Sequence, residues 1–166
     1  MIYNSLIYPF LLYGVPIWGN ADEVHLRPIF TTQKKAVRII SNKTGFLEDS
    51  FVREHSAPLF KQLKLLNIYD IFKVEALKFV FDSVNKNNPR QFHSFYSYPT
   101  NRHINTAANR NNHLNVPLIR TSNYGIKSLK FTGVVLWNNL SFNDRTSVSK
   151  AVFSMKIKSY FIDQYE

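Results

Sequence analysis

Apolar residues recur three and four positions apart in the segment that follows Asn67 and stops before Pro89. Residues with this spacing lie on one side of an α-helix, so the segment is predicted to be a long amphipathic helix whose apolar side faces a core. Asn67 is a suitable N-cap, and Pro89 with the asparagines before it disfavours continuation of the helix. The predicted stripe comprises Ile68, Ile71, Phe72, Glu75, Ala76, Phe79, Val80 and Val84.

Three further segments show helical patterns. The first begins at a capping pair, Asn20 with Glu23, and ends where residues 42–45 interrupt the apolar positions. A shorter pattern begins near Ser56, and a terminal one begins at Ser147. The chain is therefore predicted to be mainly helical.

Helical periodicity fades in the second half of the chain. This part is predicted to be rich in loops, with a short helix at 91–95, an extended piece at 114–119 and a short strand at 128–131. The predicted fold class is mainly α, with a helical bundle in residues 1–88. Residues 89–166 are expected to form a loop-rich C-terminal part with short strands and a terminal helix, and the two regions can also be one folding unit.

The stretch from Ser83 to Asn143 contains no aspartate or glutamate. The whole chain has a formal net charge of +10 and a sequence pI near 9.8. Cations without acidic neighbours attract a polyanion, so nucleic acid is the predicted partner. The lack of acidic residues can also be explained by genome composition. Codons rich in A and T encode Asn, Lys, Ile, Phe and Tyr, and their frequent use would leave fewer aspartates and glutamates. The basic residues of this stretch are Lys86, Arg90, Arg102, Arg110, Arg120, Lys127 and Lys130.

Particular side chains are candidates for nucleic-acid contact. On the first predicted helix, residues three and four positions apart are surface neighbours, so a basic cluster is expected there, with an ordinary solvated face as the alternative. Basic residues of the second half supply further phosphate contacts, and exposed tyrosines can stack on bases. Trp137 is instead predicted to lie in the core. The phosphate candidates are Lys34, Lys35, Arg38, Arg120, Lys127 and Lys130, and the stacking candidates are Tyr98 and Tyr124.

The sequence contains few residue patterns that are typical of a catalytic site. The absence of cysteine excludes disulfides, thiolate metal sites and cysteine nucleophiles, and favours an intracellular setting, with nucleus and cytoplasm both open. Adjacent carboxylates at 22–23 and 48–49 are typical of helix caps and solvated loops. His93, His103 and His113 have neither helical nor metal-ligand spacing. We therefore predict a binding module with no catalytic residue, metal site or cofactor in this chain.

Residues 1–18 are strongly apolar but carry no basic flank and are interrupted by Pro9, Gly14 and Pro16. They make a poor signal peptide and fall short of the roughly 20 uninterrupted apolar residues of a membrane span. The segment is predicted to be buried by protein, which at a chain start suggests that something upstream is missing. No membrane partner is expected.

Five blocks in fixed order carry a family resemblance. They are SLIYPFLLYGVPIWGN (5–20), QKKAVRII (33–40), HSAPLFKQLKLLNIYDIFK (55–73), NVPLIRT (115–121) and KFTGVVLWNNL (130–140). With these blocks the chain resembles the C-terminal region of reverse transcriptases from non-LTR retrotransposons (LINE elements), especially the jockey-like elements of invertebrates. The resemblance covers nearly the whole chain.

The resemblance implies a position within a larger enzyme. In that family this region begins near the end of the polymerase domain, where helices form the thumb that grips primer and template. Residues 1–88 would then be thumb-like, and 89–166 would form a basic C-terminal region. The helix that contains the block at 33–40 would lie near the RNA–DNA hybrid.

The chain also departs from the family. Many relatives carry a Thr-Arg pair ahead of the Val-Pro element, whereas the best counterpart here is Thr106 with Ala107, flanked by Arg102 and Arg110. The catalytic Asp-Asp motif, the fingers, the palm and the usual upstream endonuclease are absent from these 166 residues. Mg²⁺ is thus implied only for the missing palm of the parent enzyme, and the chain alone is predicted not to polymerise DNA.

Three hypotheses follow for the function. The leading one is a fragment of an RNA-directed DNA polymerase that contributes template–primer binding, with RNA, DNA and their hybrid as partners. The second is a protein-interaction fragment that docks on the polymerase palm or another protein chain. The third is the product of a decayed element without function. The preference between RNA and DNA stays open.

Overall fold

The structure, a computed structural model, describes residues 2–41, 55–99 and 112–165. Within these ranges the chain is mainly helical, as predicted, and contains no strand. Short π-helical turns cover Tyr3–Ile7 and Ser122–Ile126, and a 3₁₀ turn covers Arg90–Phe92. The α-helices are α1 (Tyr8–Leu12), α2 (Val15–Trp18), α3 (Glu23–Ile40), α4 (Ala57–Gln62), α5 (Ile68–Val84), α6 (Leu129–Asn138), α7 (Phe142–Arg145) and α8 (Lys150–Asp163).

The chain forms two compact units. The first comprises Met1–Ile71 with Lys158–Glu166, and the second comprises Phe72–Ile157. Both boundaries fall inside helices, α5 and α8, so each of these helices contributes residues to both units. The boundary predicted after residue 88 falls within the second unit, and the division into a thumb-like and a basic region stays a prediction.

A polar side chain lies in the core of the first unit. Gln33 on α3 is only 2% exposed. Its Nε2 donates hydrogen bonds to the Tyr3 hydroxyl at 2.7 Å and to the Leu66 carbonyl oxygen at 2.8 Å, and its Oε1 accepts from the Ile68 amide at 2.9 Å. Ile68 is the first residue of α5, so its N–H group has no acceptor within the helix, and the Gln33 side chain supplies one. One side chain therefore joins the N-terminal turn, α3 and the start of α5.

The predicted cap of α5 at Asn67 is confirmed. Oδ1 of Asn67 accepts a hydrogen bond from the Asp70 amide at 2.9 Å, and its Nδ2 donates to the Asp70 carboxylate at 2.7 Å. The Tyr165 hydroxyl donates to the same carboxylate at 2.7 Å and accepts from the Asn67 amide at 3.0 Å. The carboxylate of Asp70 therefore lies at the end of the helix where the dipole favours negative charge. Burial raises the pKa of Tyr165.

Aromatic rings fill the core of the second unit. Trp137 is 1% exposed, which confirms its predicted place in the core, and its ring centroid lies 5.8 Å from that of Phe153. Phe153 stacks on Phe81 at a centroid distance of 4.7 Å. Gly133 brings α6 close to α5, because an added Cβ would lie only 2.8 Å from Cγ2 of Val80. A larger residue at this position would force the two helices apart.

Two predicted elements differ in the structure. The strand predicted at 128–131 is instead the start of α6, because the Ser128 hydroxyl accepts a hydrogen bond from the Phe131 amide at 3.3 Å and caps the helix. The piece at 114–119 belongs to neither a helix nor a strand. Helix α5 has the predicted extent but not a single apolar stripe. Val74, Leu77 and Phe81 are buried as well, so more than one side of this helix packs within the second unit.

The N-terminal segment is only partly buried within the chain, and its burial by further protein stays a prediction. Tyr3 and Val15 are fully buried, but five other large apolar side chains are between 62% and 88% exposed. Among the helices that the structure describes, none is both long and apolar enough to cross a membrane. The five exposed side chains, called the apolar stripe below, are Ile2, Leu6, Phe10, Tyr13 and Ile17.

Candidate nucleic-acid interface

Positive charge is divided unequally between the two units. The second unit contains twelve lysines and arginines against three acidic residues, a formal net charge of +9. The first contains nine against eight, a formal net charge of +1. The positive charge that a polyanion would encounter therefore belongs mainly to the second unit.

The three cations predicted on the first long helix lie on α3 in the first unit. Lys35 is exposed. Lys34 is half-buried, with its Nζ 4.5 Å from the centroid of the Phe30 ring. Arg38 is half-buried and has an interaction partner within the chain. Of the three, Lys35 is thus the most accessible to a phosphate.

Arg120 and Lys130 come together in the second unit. Both side chains are exposed and line one open depression with a volume of about 380 Å³. Lys127 lies on the connection between them, and the Nζ of Lys130 is 5.7 Å from the centroid of the Phe95 ring. Exposed cations around a concave surface can contact successive phosphates. The depression is called the Arg120–Lys130 surface and is lined by Pro117, Leu118, Ile119, Arg120, Thr121, Gly125, Ser128 and Lys130.

The turn at Ser122–Ile126 is fixed to the start of α6. The Thr132 hydroxyl donates a hydrogen bond to the Ile126 carbonyl oxygen at 3.0 Å. The Ile119 side chain approaches the backbone so closely that only glycine fits at position 125, since an added Cβ would lie 1.8 Å from Cγ2 of Ile119. The Ile119 side chain therefore packs directly on the backbone of the turn. These contacts hold the backbone of the Arg120–Lys130 surface in place.

The two candidate tyrosines lie in different surroundings. Tyr124, on the turn, is 91% exposed, so its ring is accessible for stacking on a base. Tyr98 is 40% exposed and interacts with Arg145. Burial raises the pKa of the Tyr98 hydroxyl, and the positive charge of Arg145 opposes that rise. Of the two, Tyr124 is thus the more accessible, and it precedes Gly125 of the Arg120–Lys130 surface in the chain.

Arg145 is a functional candidate that the sequence pattern does not reveal. It is 8% exposed, and its Nε and Nη1 are buried without donating a hydrogen bond to any residue that the structure describes. Burial lowers the pKa of Arg145, and burial together with the charge of Arg145 lowers the pKa of His113. Nothing in the residues around Arg145 distinguishes it from an exposed helix end, because its burial depends on tertiary packing.

Metal-binding side chains do not gather in the ranges 2–41, 55–99 and 112–165, where no group of three or more His, Cys, Asp or Glu residues could hold an ion. Nε2 of His93 lies 2.5 Å from the carbonyl oxygen of Asn88, so this ring is part of a local hydrogen bond. Several residues of interest lie outside the described ranges, namely Arg102, His103, Thr106, Ala107 and Arg110.

The chain matches no protein-family model, and neither a curated protein nor a solved structure shows significant similarity to it. The resemblance to non-LTR reverse transcriptases therefore depends on the five sequence blocks. Membership of that family stays a prediction.

Proposed function

We propose that this chain is a fragment of an RNA-directed DNA polymerase from a non-LTR retrotransposon and contributes template–primer binding. Its ligand is the RNA–DNA hybrid, held through the phosphates. Its own residues position the nucleic acid, and the polymerase palm of the parent enzyme carries the catalytic carboxylates. The five sequence blocks support the family, and the basic second unit supports the role.

The observation that carries this proposal is the concentration of charge. The second unit has a formal net charge of +9, and two of its exposed cations, Arg120 and Lys130, line one depression. Tyr124, which precedes the lining residue Gly125 in the chain, has an exposed ring. Cations contact the sugar-phosphate backbone and an exposed aromatic ring stacks on a base, so this combination suits nucleic acid irrespective of its sequence.

Binding of the wild-type chain to an RNA–DNA hybrid is expected to depend steeply on salt. If the chain contacts about four phosphates, a rise from roughly 50 to 200 mM KCl weakens the affinity about 100-fold, because the release of counterions on binding becomes less favourable. Fluorescence anisotropy of a labelled hybrid across a salt series measures this dependence. An affinity that does not change with salt contradicts the proposal.

A second candidate function, protein interaction, is favoured by the apolar stripe. A contiguous patch of exposed apolar side chains is typical of a contact surface. The five side chains of the apolar stripe are 62% to 88% exposed and fall within residues 2–17. In the family that the chain resembles, this region follows the polymerase palm. An apolar surface of the palm is therefore the proposed occupant.

An uncovered apolar stripe is expected to cause self-association of the isolated chain. Replacing Phe10 and Ile17 by glutamine removes two of its most exposed members, so the elution volume in size-exclusion chromatography becomes independent of protein concentration. The control replaces Val24 and Ile39, which are 78% and 63% exposed, by glutamine and leaves self-association unchanged. A wild-type chain that is monomeric at every concentration removes this second candidate.

A further inference from the structure

Arg145 is held in a fixed place at the end of α7. The Ser141 hydroxyl accepts a hydrogen bond from the Asp144 amide at 3.2 Å and caps this helix, and the Arg145 amide donates to the Ser141 carbonyl oxygen at 3.2 Å. The side chain is more than nine-tenths buried, and two of its nitrogens have no acceptor among the described residues. A guanidinium stays protonated in proteins, so the structure buries a positive charge whose Nε and Nη1 have no acceptor in the part of the chain that it describes.

A buried cation is ordinarily paired with a carboxylate, because burial of an unpaired charge is strongly unfavourable. The second unit contains three carboxylates, and each is engaged elsewhere. Glu75 is paired with Lys78 at 2.7 Å, Asp82 is paired with Lys150, and Asp144 accepts from the Ser141 hydroxyl at 2.7 Å. The acid-free stretch from Ser83 to Asn143 supplies no other. Among the described residues, none of these three carboxylates forms an ion pair with Arg145.

The groups around Arg145 can donate hydrogen bonds. Tyr98 and His113 both lie close enough to interact electrostatically with its charge. Tyr98 offers a hydroxyl and is 40% exposed, so the cluster is in contact with solvent. Guanidinium, phenol and imidazole groups are suited to an oxyanion with several acceptor oxygens when no carboxylate pairs with the guanidinium, as is the case among the described residues. Phosphate is the commonest such ligand of arginine.

We propose that Arg145, together with Tyr98 and His113, binds a phosphate group that comes from either a nucleic-acid backbone or a free phosphate ester. This site is separate from the lining of the Arg120–Lys130 surface and does not depend on the proposed polymerase function. Binding supplies the negative charge that the second unit lacks at this position. A chain that fails to bind RNA–DNA hybrids can still bind phosphate here.

The first test is thermal unfolding of the full chain with inorganic phosphate, at an ionic strength held constant with chloride. At a phosphate concentration about tenfold above the dissociation constant, the melting temperature of the wild type is expected to rise by roughly 3 °C. The Arg145→Met variant loses this rise. In phosphate-free buffer it melts at or above the wild-type temperature, because it buries no unpaired charge. The Arg90→Met control removes an exposed arginine and keeps the rise.

The second test needs no variant at Arg145. Bound phosphate offsets the charge of Arg145, so the pKa of His113, followed by proton NMR of the ring, rises from its lowered value when phosphate is added. A wild type that shows neither the thermal rise nor this pKa rise overturns the proposal. A rise of equal size in Arg145→Met also overturns it.

A third measurement identifies the source of the phosphate. If Arg145→Met weakens the binding of a short single-stranded oligonucleotide by about tenfold and inorganic phosphate competes with the oligonucleotide, the site holds a backbone phosphate. If the oligonucleotide affinity is unchanged while the thermal rise with phosphate is lost, the site holds a free phosphate ester. Both outcomes support the site, and the proposed polymerase function is tested separately by the salt dependence of hybrid binding.

Discussion

Replacing Gln33 by leucine is expected to lower the free energy of unfolding by about 3 kcal/mol. Leucine has a similar volume, so the loss comes from hydrogen bonds and not from a cavity. The substitution leaves the Ile68 amide and the Leu66 carbonyl group buried without partners, and it also removes the donor to the Tyr3 hydroxyl. Each buried polar group without a partner costs roughly 1 to 3 kcal/mol.

Urea unfolding followed by circular dichroism measures this change. The matched control is Lys35→Leu on the same helix, where the side chain is exposed and the free energy is expected to change by less than about 0.5 kcal/mol. If Gln33→Leu is as stable as Lys35→Leu, the hydrogen bonds of Gln33 do not join α3 to the start of α5.

Charge reversal on the Arg120–Lys130 surface is expected to have the largest effect on binding. The double variant Arg120→Glu with Lys130→Glu should bind an RNA–DNA hybrid about 100-fold more weakly at low salt, because two phosphate contacts become repulsive. The control Lys61→Glu with Lys158→Glu changes the net charge equally at two exposed lysines of the first unit. We expect its affinity to fall by less than roughly tenfold, through the long-range field alone.

The cations of α3 provide an independent comparison in the same assay. Reversal of Lys34, Lys35 and Arg38 is expected to weaken binding less than reversal of Arg120 and Lys130. The reason is that two of the three α3 cations are half-buried and the first unit is nearly neutral. A larger loss from the α3 variant would move the principal contact to the thumb-like helix that the family resemblance implies.

Periodicity predicted much of the helical fold, whereas capping chemistry was right at Asn67 but not at Asn20, because α3 begins after Asp22. The segment after Asn67 has both a regular apolar spacing and an asparagine that can cap, and the structure begins α5 at Ile68 with that cap. The helix start at 128–131 was harder to predict, because polar and apolar residues alternate in Ser-Leu-Lys-Phe, as they do in a strand. A hydrogen bond between the Ser128 hydroxyl and the Phe131 amide favours the helix there, and a pattern of apolar residues does not contain that information.

The candidate site was less predictable, because it depends on packing between distant residues. Gln33 precedes two lysines, so the sequence suggests that it belongs to a solvated basic face. It is nevertheless buried, and its hydrogen-bond partners Leu66 and Ile68 lie more than thirty positions away in the chain. Arg145 likewise resembles an exposed helix end. Arg120 and Lys130 could be predicted as cations, but the depression that they share follows from the contact of Ile119 with Gly125.

The salt dependence of hybrid binding, compared between the wild type and the variant Arg120→Glu with Lys130→Glu, tests the phosphate-contact role most directly. In a plot of log affinity against log salt concentration, each lost phosphate contact makes the slope less negative by about 0.9. We predict a slope near −4 for the wild type and near −2 for the variant, with the Lys61 and Lys158 control close to the wild type. Equal slopes for the wild type and the charge-reversed variant would contradict a nucleic-acid contact at the Arg120–Lys130 surface.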